Sequence, residues 1–556
     1  MERLIRRLVA QPGRVVEVLV ASLMIHLLSL GTSIYVIQVL NRYVSNGVDS
    51  TLMTLTAGVL LAIVMEWVIR RLRFRMMDGF TAHPDAQLAG RGFFQLTGAR
   101  GGPLMRLGEG GRREAMMAIL TLQQSLGREN LVALIDFPFA LLFVVALFSL
   151  NVQVGVVALL ALFLVLLASM LVQWLLKTPL RTQSQLAREQ NQWLQSVLRA
   201  IEEIRVFNAQ GMLRRLWGER QTRWNRERDR VASRQDLLRL VIQTGSALLS
   251  VAVVVQGAVL VVNGEMNVGA MIGANILSAR ALAIISRFAQ LGAAMEQGAG
   301  AASNLEKMMS LPLESMEGTA LNSFSGNLEL NDCAFAHPGA NAPLFESLSL
   351  RLIPGSLVVV AGENGAGKTT LARLLTGYLE PVRGKLLADG LEFRQMAASW
   401  WRRQLIYFPQ EPVFFEGSLL ENITVNRPDV PLDRLNRMID AAGLRRFVNE
   451  SPDGLQTRLE GGGGYLSLGL RRRIALARGL VGDGRVAVFD DPLEGLDAQG
   501  IASVMTLLAA LKNDGRTVIV MTHDVAPFQD LADAFLDLNI KPKPLLRRTM
   551  PGAGGG

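Results

Sequence analysis

A chain of 556 residues is too long for one ordinary domain. Half of its residues are hydrophobic and its mean hydropathy is +0.28, which excludes a uniformly soluble protein of this size. The formal charge of +9 does not mark a nucleic-acid binder, because many arginines fall in the gaps between apolar runs instead of clustering with aromatics in a soluble module. The single cysteine, Cys333, excludes an internal disulfide, and His26, His83, His337 and His523 are too scattered to suggest a metal cluster.

The apolar excess lies before about residue 290, so a membrane domain is expected first and a soluble domain second. The N-terminus is basic and runs into a long apolar stretch, which reads as an uncleaved first span, not a signal peptide. Candidate spans cover 18–40, 51–69, 131–150, 152–176, 240–262 and 268–288. Each approaches the ~20 residues that cross a bilayer core. Spans pair through short links around Arg42–Ser50, at Asn151 and at Asn263–Asn267, while the other two links run to about 60 residues. The long links carry the basic residues, among them Arg70, Arg73, Arg112, Arg181, Arg214 and Arg228, so these links and both termini are expected in the cytoplasm. Helical periodicity continues into the second long link, so the spans are expected to extend beyond the bilayer as helices. Arg280, ~18 Å into the sixth span along a helix, needs a polar cavity or a partner. It is a candidate for lining a translocation path, the alternative being a structural ion pair. Glu66 beside Arg70 reads as a structural pair, and His26 as a satisfied bundle residue.

A linker rich in turn formers, 308–326, separates residues 1–307 from 327–545, and 546–556 is expected to be a disordered tail. In 327–545 short β-rich runs alternate with helical patterns, which predicts an α/β domain with a largely parallel sheet. The segment Gly362-Glu363-Asn364-Gly365-Ala366-Gly367-Lys368-Thr369 satisfies G-x-x-x-x-G-K-[ST], follows the apolar strand Leu357–Ala361 and opens a helix near Thr370. That context is a P-loop: its backbone N–H groups and the helix N-terminus cradle phosphates, Lys368 reaches the β- and γ-phosphates, and Thr369 ligates Mg²⁺. A second strand ends in Asp490-Asp491, where Asp490 would hold the Mg²⁺ and Asp491 polarise the attacking water. A third ends at Thr522-His523, and His523 is a candidate γ-phosphate sensor.

These residues resemble the ATP-binding cassette family, and the similarity covers nearly the whole chain. The resemblance implies further roles: Gln410 in YFPQEP as the Q-loop that contacts Mg²⁺, Ser467, Leu468, Gly469 and Leu470 as the signature acting on a partner's ATP, Asp497 in the D-loop, and His337 in the place of the adenine-stacking aromatic. Three positions depart from the family pattern. The catalytic glutamate is Asp491, shorter by one methylene, about 1.5 Å, and a misplacement of that order can cost about 10²-fold in rate. The signature reads LSLGL, with Leu468 in place of a glycine that allows close backbone approach. His337 offers imidazole where a phenol ring is usual. Turnover is therefore expected to be slow.

Asp136-Phe137-Pro138-Phe139, Val268–Ala283 and the first span resemble the bacterial type I secretion exporters, without the peptidase-like N-terminal domain of some relatives. The implied protein is an all-α six-helix transmembrane exporter domain followed by an α/β P-loop cassette, in the bacterial inner membrane. It would use ATP and Mg²⁺, pair with a second copy of itself in preference to a different partner, and work with a periplasmic adaptor, an outer-membrane channel and a polypeptide cargo. Export of a lipid, small peptide or drug, and a weakly hydrolysing regulatory or assembly subunit, remain alternatives. No nucleic-acid partner is expected.

Overall fold

The computed structural model describes residues 2–9, 11–44, 49–315, 317–337, 339–340, 342–496 and 498–548. The last residues of the expected tail, 549–556, part of the link after Arg42 and the D-loop Asp497 lie outside the described residues. The described residues divide into two units, one within 1–97 and 107–311, the other within 98–106 and 312–548.

The first unit is helical: α1 (Glu2–Val9), α2 (Pro12–Gln38, continued by a π-turn Val39–Val44), α3 (Asp49–Gly98), α4 (from Gly101 to Ser125), α5 (Arg128–Asp136), α6 (Ala140–Leu150), α7 (Val152–Arg199), α8 (Ile201–Val206), α9 (Gln210–Val262) and α10 (Val268–Met309). Among the described residues six helical stretches are long and apolar enough to cross a membrane, and they contain the six spans expected from hydropathy. The two that bracket the second long link, α7 and α9, run 48 and 53 residues, well past the ~20 that a bilayer core needs. Asn151 ends one span and caps the next, its side-chain oxygen accepting from the N–H groups of Gln153 and Val154 at 2.8 and 3.4 Å.

Two faces of α7 show why the sequence reads as apolar all round. Val154, Ala158, Leu162 and Val165 recur at helical spacing and pack against Leu249 and Val253 of α9 and Ala274, Leu277 and Ala281 of α10. On the other side Leu160, Phe163, Leu164, Leu167 and Leu171 stay exposed, a stripe suited to lipid. The same unit buries a polar cluster. Arg73 of α3, 1% exposed, donates from Nη1 to Asp136 Oδ1 at 2.6 Å and to Ser22 Oγ at 2.8 Å. His26 Nε2 lies 3.4 Å from the same carboxylate oxygen, and its ring stacks on Phe139. His26 is therefore not the fully satisfied residue expected, since Nε2 is buried at ion-pair distance without a hydrogen bond. Glu66 and Arg70 do pair, at 2.5 Å. Arg280 is half-buried on α10 with no ion pair or hydrogen bond among the described residues.

The second unit is an α/β cassette: β1 (Leu328–Phe335), β2 (Phe345–Leu352), β3 (Leu357–Ala361), α11 (Lys368–Leu375), β4 (Arg383–Ala388), β5 (Leu391–Glu392), α12 (Ala398–Arg403), β6 (Leu405–Phe408), β7 (Gly417–Ser418), α13 (Leu419–Thr424), α14 (Leu432–Ala441), α15 (Arg445–Glu450), β8 (Arg458–Leu459), α16 (Leu468–Val481), β9 (Val486–Asp490), α17 (Ala498–Asn513), β10 (Thr517–Thr522), β11 (Ala534–Asp537) and β12 (Leu545–Arg548). The central sheet has the order β12-β11-β3-β10-β9-β6 and is parallel except for β12. Because side chains alternate along a strand, Val358 and Val360 of β3, Val488 of β9 and Met521 of β10 fill one core. Leu357, Val359, Phe489 and Val520 fill the other. A strand buried on both faces must be apolar throughout, as LVVVA and VAVFD are. A second, antiparallel sheet, β2-β1-β4-β5, flanks the first core.

Leu313, Glu314 and Thr319 of the linker are held within the cassette unit. Glu314 receives Arg402 Nη2 at 2.7 Å on both carboxylate oxygens, and Ala99 and Leu313 form an antiparallel bridge. Cys333 is fully buried on β1, its thiol directed at the carbonyls of Lys385 and Asn331, and burial pushes its pKa up to about 11. A raised thiol pKa leaves roughly two orders of magnitude less thiolate near pH 8 than a free cysteine has. Maleimide is therefore expected to label the folded protein negligibly at pH 8 and fully in guanidinium, read by intact mass; fast labelling of folded protein would contradict the burial.

Candidate nucleotide site

Parallel strands put their carboxyl ends on one edge of a sheet, and ligands collect in the loops there. β3, β10 and β9 are neighbours, so the P-loop, the Thr522-His523 turn and the Asp490-Asp491 turn emerge side by side. The P-loop and Asp491 border a cavity of about 260 Å³ whose wall also includes His337 and Gln410.

The P-loop turns on two glycines with positive φ, Gly365 at 87° and Gly367 at 112°. A Cβ on Gly367 would also stand 2.7 Å from the Leu344 side chain, so only glycine fits there. The loop is held at its start by Gly362 N donating to the Thr522 carbonyl at 3.2 Å, and Glu363 N donates to Asn539 Oδ1 at 2.8 Å. Asn364 and Gly365 are exposed at the tip and Ala366 is buried beneath it. Lys368 is 6% exposed; its Nζ donates to the Gly362 carbonyl at 2.7 Å and sits 3.7 Å from Asp491 Oδ2. Thr370 is buried, with its hydroxyl 3.4 Å from His337 Nε2. His337 itself is exposed, edge-on to Phe335.

Asp491 is buried, with a φ of 47°, a left-handed conformation that costs an L-residue roughly 1–2 kcal/mol. Its N–H donates to the Met521 carbonyl at 2.8 Å, which ties the turn to β10. Around its carboxylate lie Lys368, His523 Nδ1 at 3.5 Å and Gln410 Nε2 at 3.4 Å. Asp490 is fully buried, and among the described residues neither carboxylate oxygen has a hydrogen-bond partner. Burial pushes its carboxyl above the ordinary range. An orphaned, desolvated carboxylate beside Lys368 and Thr369 fits a hard divalent cation with oxygen ligands, such as Mg²⁺.

The structure thus brings Lys368, Thr369, Gln410, Asp491 and His523 together, with Asp490 at the base and His337 at the rim. Ser467, Leu468, Gly469 and Leu470 line no part of this cavity. Ser467 caps α16 by accepting from Leu470 N at 3.3 Å, Leu468 is exposed, and Leu470 leans into the cassette core. Arg280 is in the helical unit and takes no part. Beside the cavity, buried Arg472, in the basic run that follows the signature, pairs with Glu494, the first residue of the D-loop segment, at 2.9 Å.

Residues 345–494 match the family model described as ABC transporter. The chain thus carries an ABC transporter ATPase domain, preceded among the described residues by six helices long and apolar enough to cross a membrane, an arrangement that supports ATP hydrolysis coupled to transport. More particularly, it is 24% identical over 513 residues to the exotoxin translocation ATP-binding protein of Pasteurella aerogenes, covering 91% of this chain and 71% of that protein. It is 26% identical over 517 residues to the alpha-hemolysin translocation ATP-binding protein of Escherichia coli O157:H7, covering 91% and 72%. Among solved structures, a bacterial Atm1-family ABC exporter with ATP bound superposes with a TM-score of 0.81 over 95% of this chain and 93% of that one, at 19% identity, a likeness of fold.

Proposed function

We propose that this chain pairs with a second copy of itself to export an unfolded polypeptide across the bacterial inner membrane, as the ATP-driven member of a type I secretion system. Similarity over 91% of the chain to proteins named for toxin translocation carries this reading. A periplasmic adaptor and an outer-membrane channel would complete the path, with both termini and the long links in the cytoplasm.

In this reading the P-loop N–H groups and Lys368 hold the β- and γ-phosphates, and His337 flanks the adenine. Thr369, Asp490 and Gln410 are the residues that would hold Mg²⁺, which when bound neutralises phosphate charge. Asp491 accepts a hydrogen bond from the attacking water and orients it in line with the leaving oxygen, while His523 donates to the γ-phosphate. Ser467 and the N-terminus of α16 close on the ATP of the partner subunit, as does the D-loop around Asp497. Arg280, a half-buried cation with no ion pair among the described residues, would line the path of the cargo.

Asp491→Asn tests the assignment. It keeps shape while removing the acceptor charge, so turnover of the reconstituted protein is expected to fall about 10²-fold or more with nucleotide binding retained. Unchanged turnover would move the chain to the second reading, a weakly hydrolysing regulatory subunit, which the short Asp491 and the leucines of the signature favour.

A further inference from the structure

Arg472 is 3% exposed on α16, five residues beyond the Ser467 cap. Its Nη2 donates to Glu494 Oε2 at 2.9 Å and to the backbone carbonyl of Gln410 at 3.4 Å. Glu494 Oε2 also lies 3.5 Å from Gln410 Nε2, and the same amide nitrogen is 3.4 Å from Asp491 Oδ2. One guanidinium therefore grips Gln410 at its main chain directly and at its side chain through Glu494. With Nε2 drawn toward two carboxylates, the amide oxygen is left as the acceptor that Gln410 offers to the cavity it lines.

Stability does not account for this arrangement. Arg472 Nε and Nη1 are buried with no hydrogen-bond partner among the described residues, and its carboxylate partner is half-exposed. A buried guanidinium with two orphaned donor groups costs free energy that an apolar side chain of similar volume would not. What the guanidinium does supply is a fixed orientation for Gln410.

We propose that Arg472 and Glu494 are positioning residues for Gln410, and that through them the chain's own catalytic site is tied to α16. This rests on the assignment of Gln410 to the metal and water of its own ATP, and of the N-terminus of α16 to the partner's ATP. The device then works between sites: a shift of α16 as it meets the partner's nucleotide moves Arg472, and Gln410 moves with it. Glu494 stands three residues beyond Asp491 in the same turn, so the aspartate and the glutamine are adjusted by one element.

The test is a double-mutant cycle on reconstituted full-length protein, with ATPase rate, KM for ATP and the Mg²⁺ concentration at half-maximal rate as readouts. Arg472→Gln is expected to lower kcat about 10- to 100-fold, in the range of residues that orient a ligand from behind. KM for ATP should stay within about twofold, the Mg²⁺ midpoint should rise, and Arg472→Lys should restore part of the rate. In the Gln410→Ala background the same change is expected to add nothing, because its effect runs through that side chain. Multiplication of the two effects, or wild-type rates in both Arg472→Gln and Glu494→Gln, would overturn the proposal. Should Arg472→Gln lose its cooperative melting transition, Glu494→Gln at the half-exposed partner carries the same cycle. Failure of the underlying site assignment looks different: Gln410→Ala alone would then turn over at the wild-type rate.

Discussion

Lys368→Ala is expected to lower ATP turnover by about 10²- to 10³-fold and to weaken Mg-ATP binding, measured on purified protein in lipid nanodiscs. The cavity explains the size of the effect. Among the described residues of its wall Lys368 is the one lysine or arginine, set against Glu363 and Asp491. Without the ammonium, a polyphosphate would face two carboxylates with only backbone N–H groups and the helix N-terminus as counterweight. The side chain is also preorganised: it is buried and already tethered to the Gly362 carbonyl, so little reorganisation is needed when phosphate arrives. Lys368→Arg is not expected to rescue, because a planar fork does not fit where a point charge sits against a backbone carbonyl. Binding and turnover unaffected by alanine would remove this cavity from the mechanism.

The largest loss of stability is expected from Asp136→Ala, about 3–5 kcal/mol, read as a drop in the unfolding temperature in mild detergent. The carboxylate is the only acidic partner of Arg73 among the described residues, and Arg73 is 1% exposed. Its removal strands a guanidinium inside the helical unit with only the Ser22 hydroxyl for company. Replacing both groups at once, Arg73→Met with Asp136→Leu, should recover most of the loss, since a well-packed apolar pair avoids desolvating two charges. Arg128 and Asp78 supply the contrast. They pair at 3.1 Å with both side chains at least half exposed, and Asp78→Ala is expected to cost less than about 1 kcal/mol. If the two alanine variants melt alike, the polar cluster has no structural weight.

How far the sequence speaks depends on whether a feature is local. The spans were legible because twenty apolar residues in a row are a local property, and the P-loop because its eight residues and their flanking strand and helix are contiguous. The polar continuations of α7 and α9 announced themselves by period and lost their boundaries to the same cause, since hydropathy falls long before the helix ends. Linker 308–326 reads as a tether from its turn formers, yet Glu314 and Leu313 are held by Arg402 and Ala99, partners that nothing nearby indicates. Long-range pairs were out of reach. Arg73 and Asp136 lie 63 positions apart and Arg472 and Gln410 62, and no spacing rule links them. The signature shows the other limit. Leu468 and Leu470 look alike in sequence, but helix phase sends the first to solvent and the second into the core.

The bridge between Ala99 and Leu313 has a mechanical meaning. It staples the far end of α3 to the strand of chain that leaves α10, two stretches separated by four spans in sequence, and both belong to the cassette unit. Arg100 extends the staple, its N–H donating to the Pro312 carbonyl at 2.9 Å. One short pairing thus fastens both stretches to the cassette unit, so that neither can leave it without breaking the same bridge.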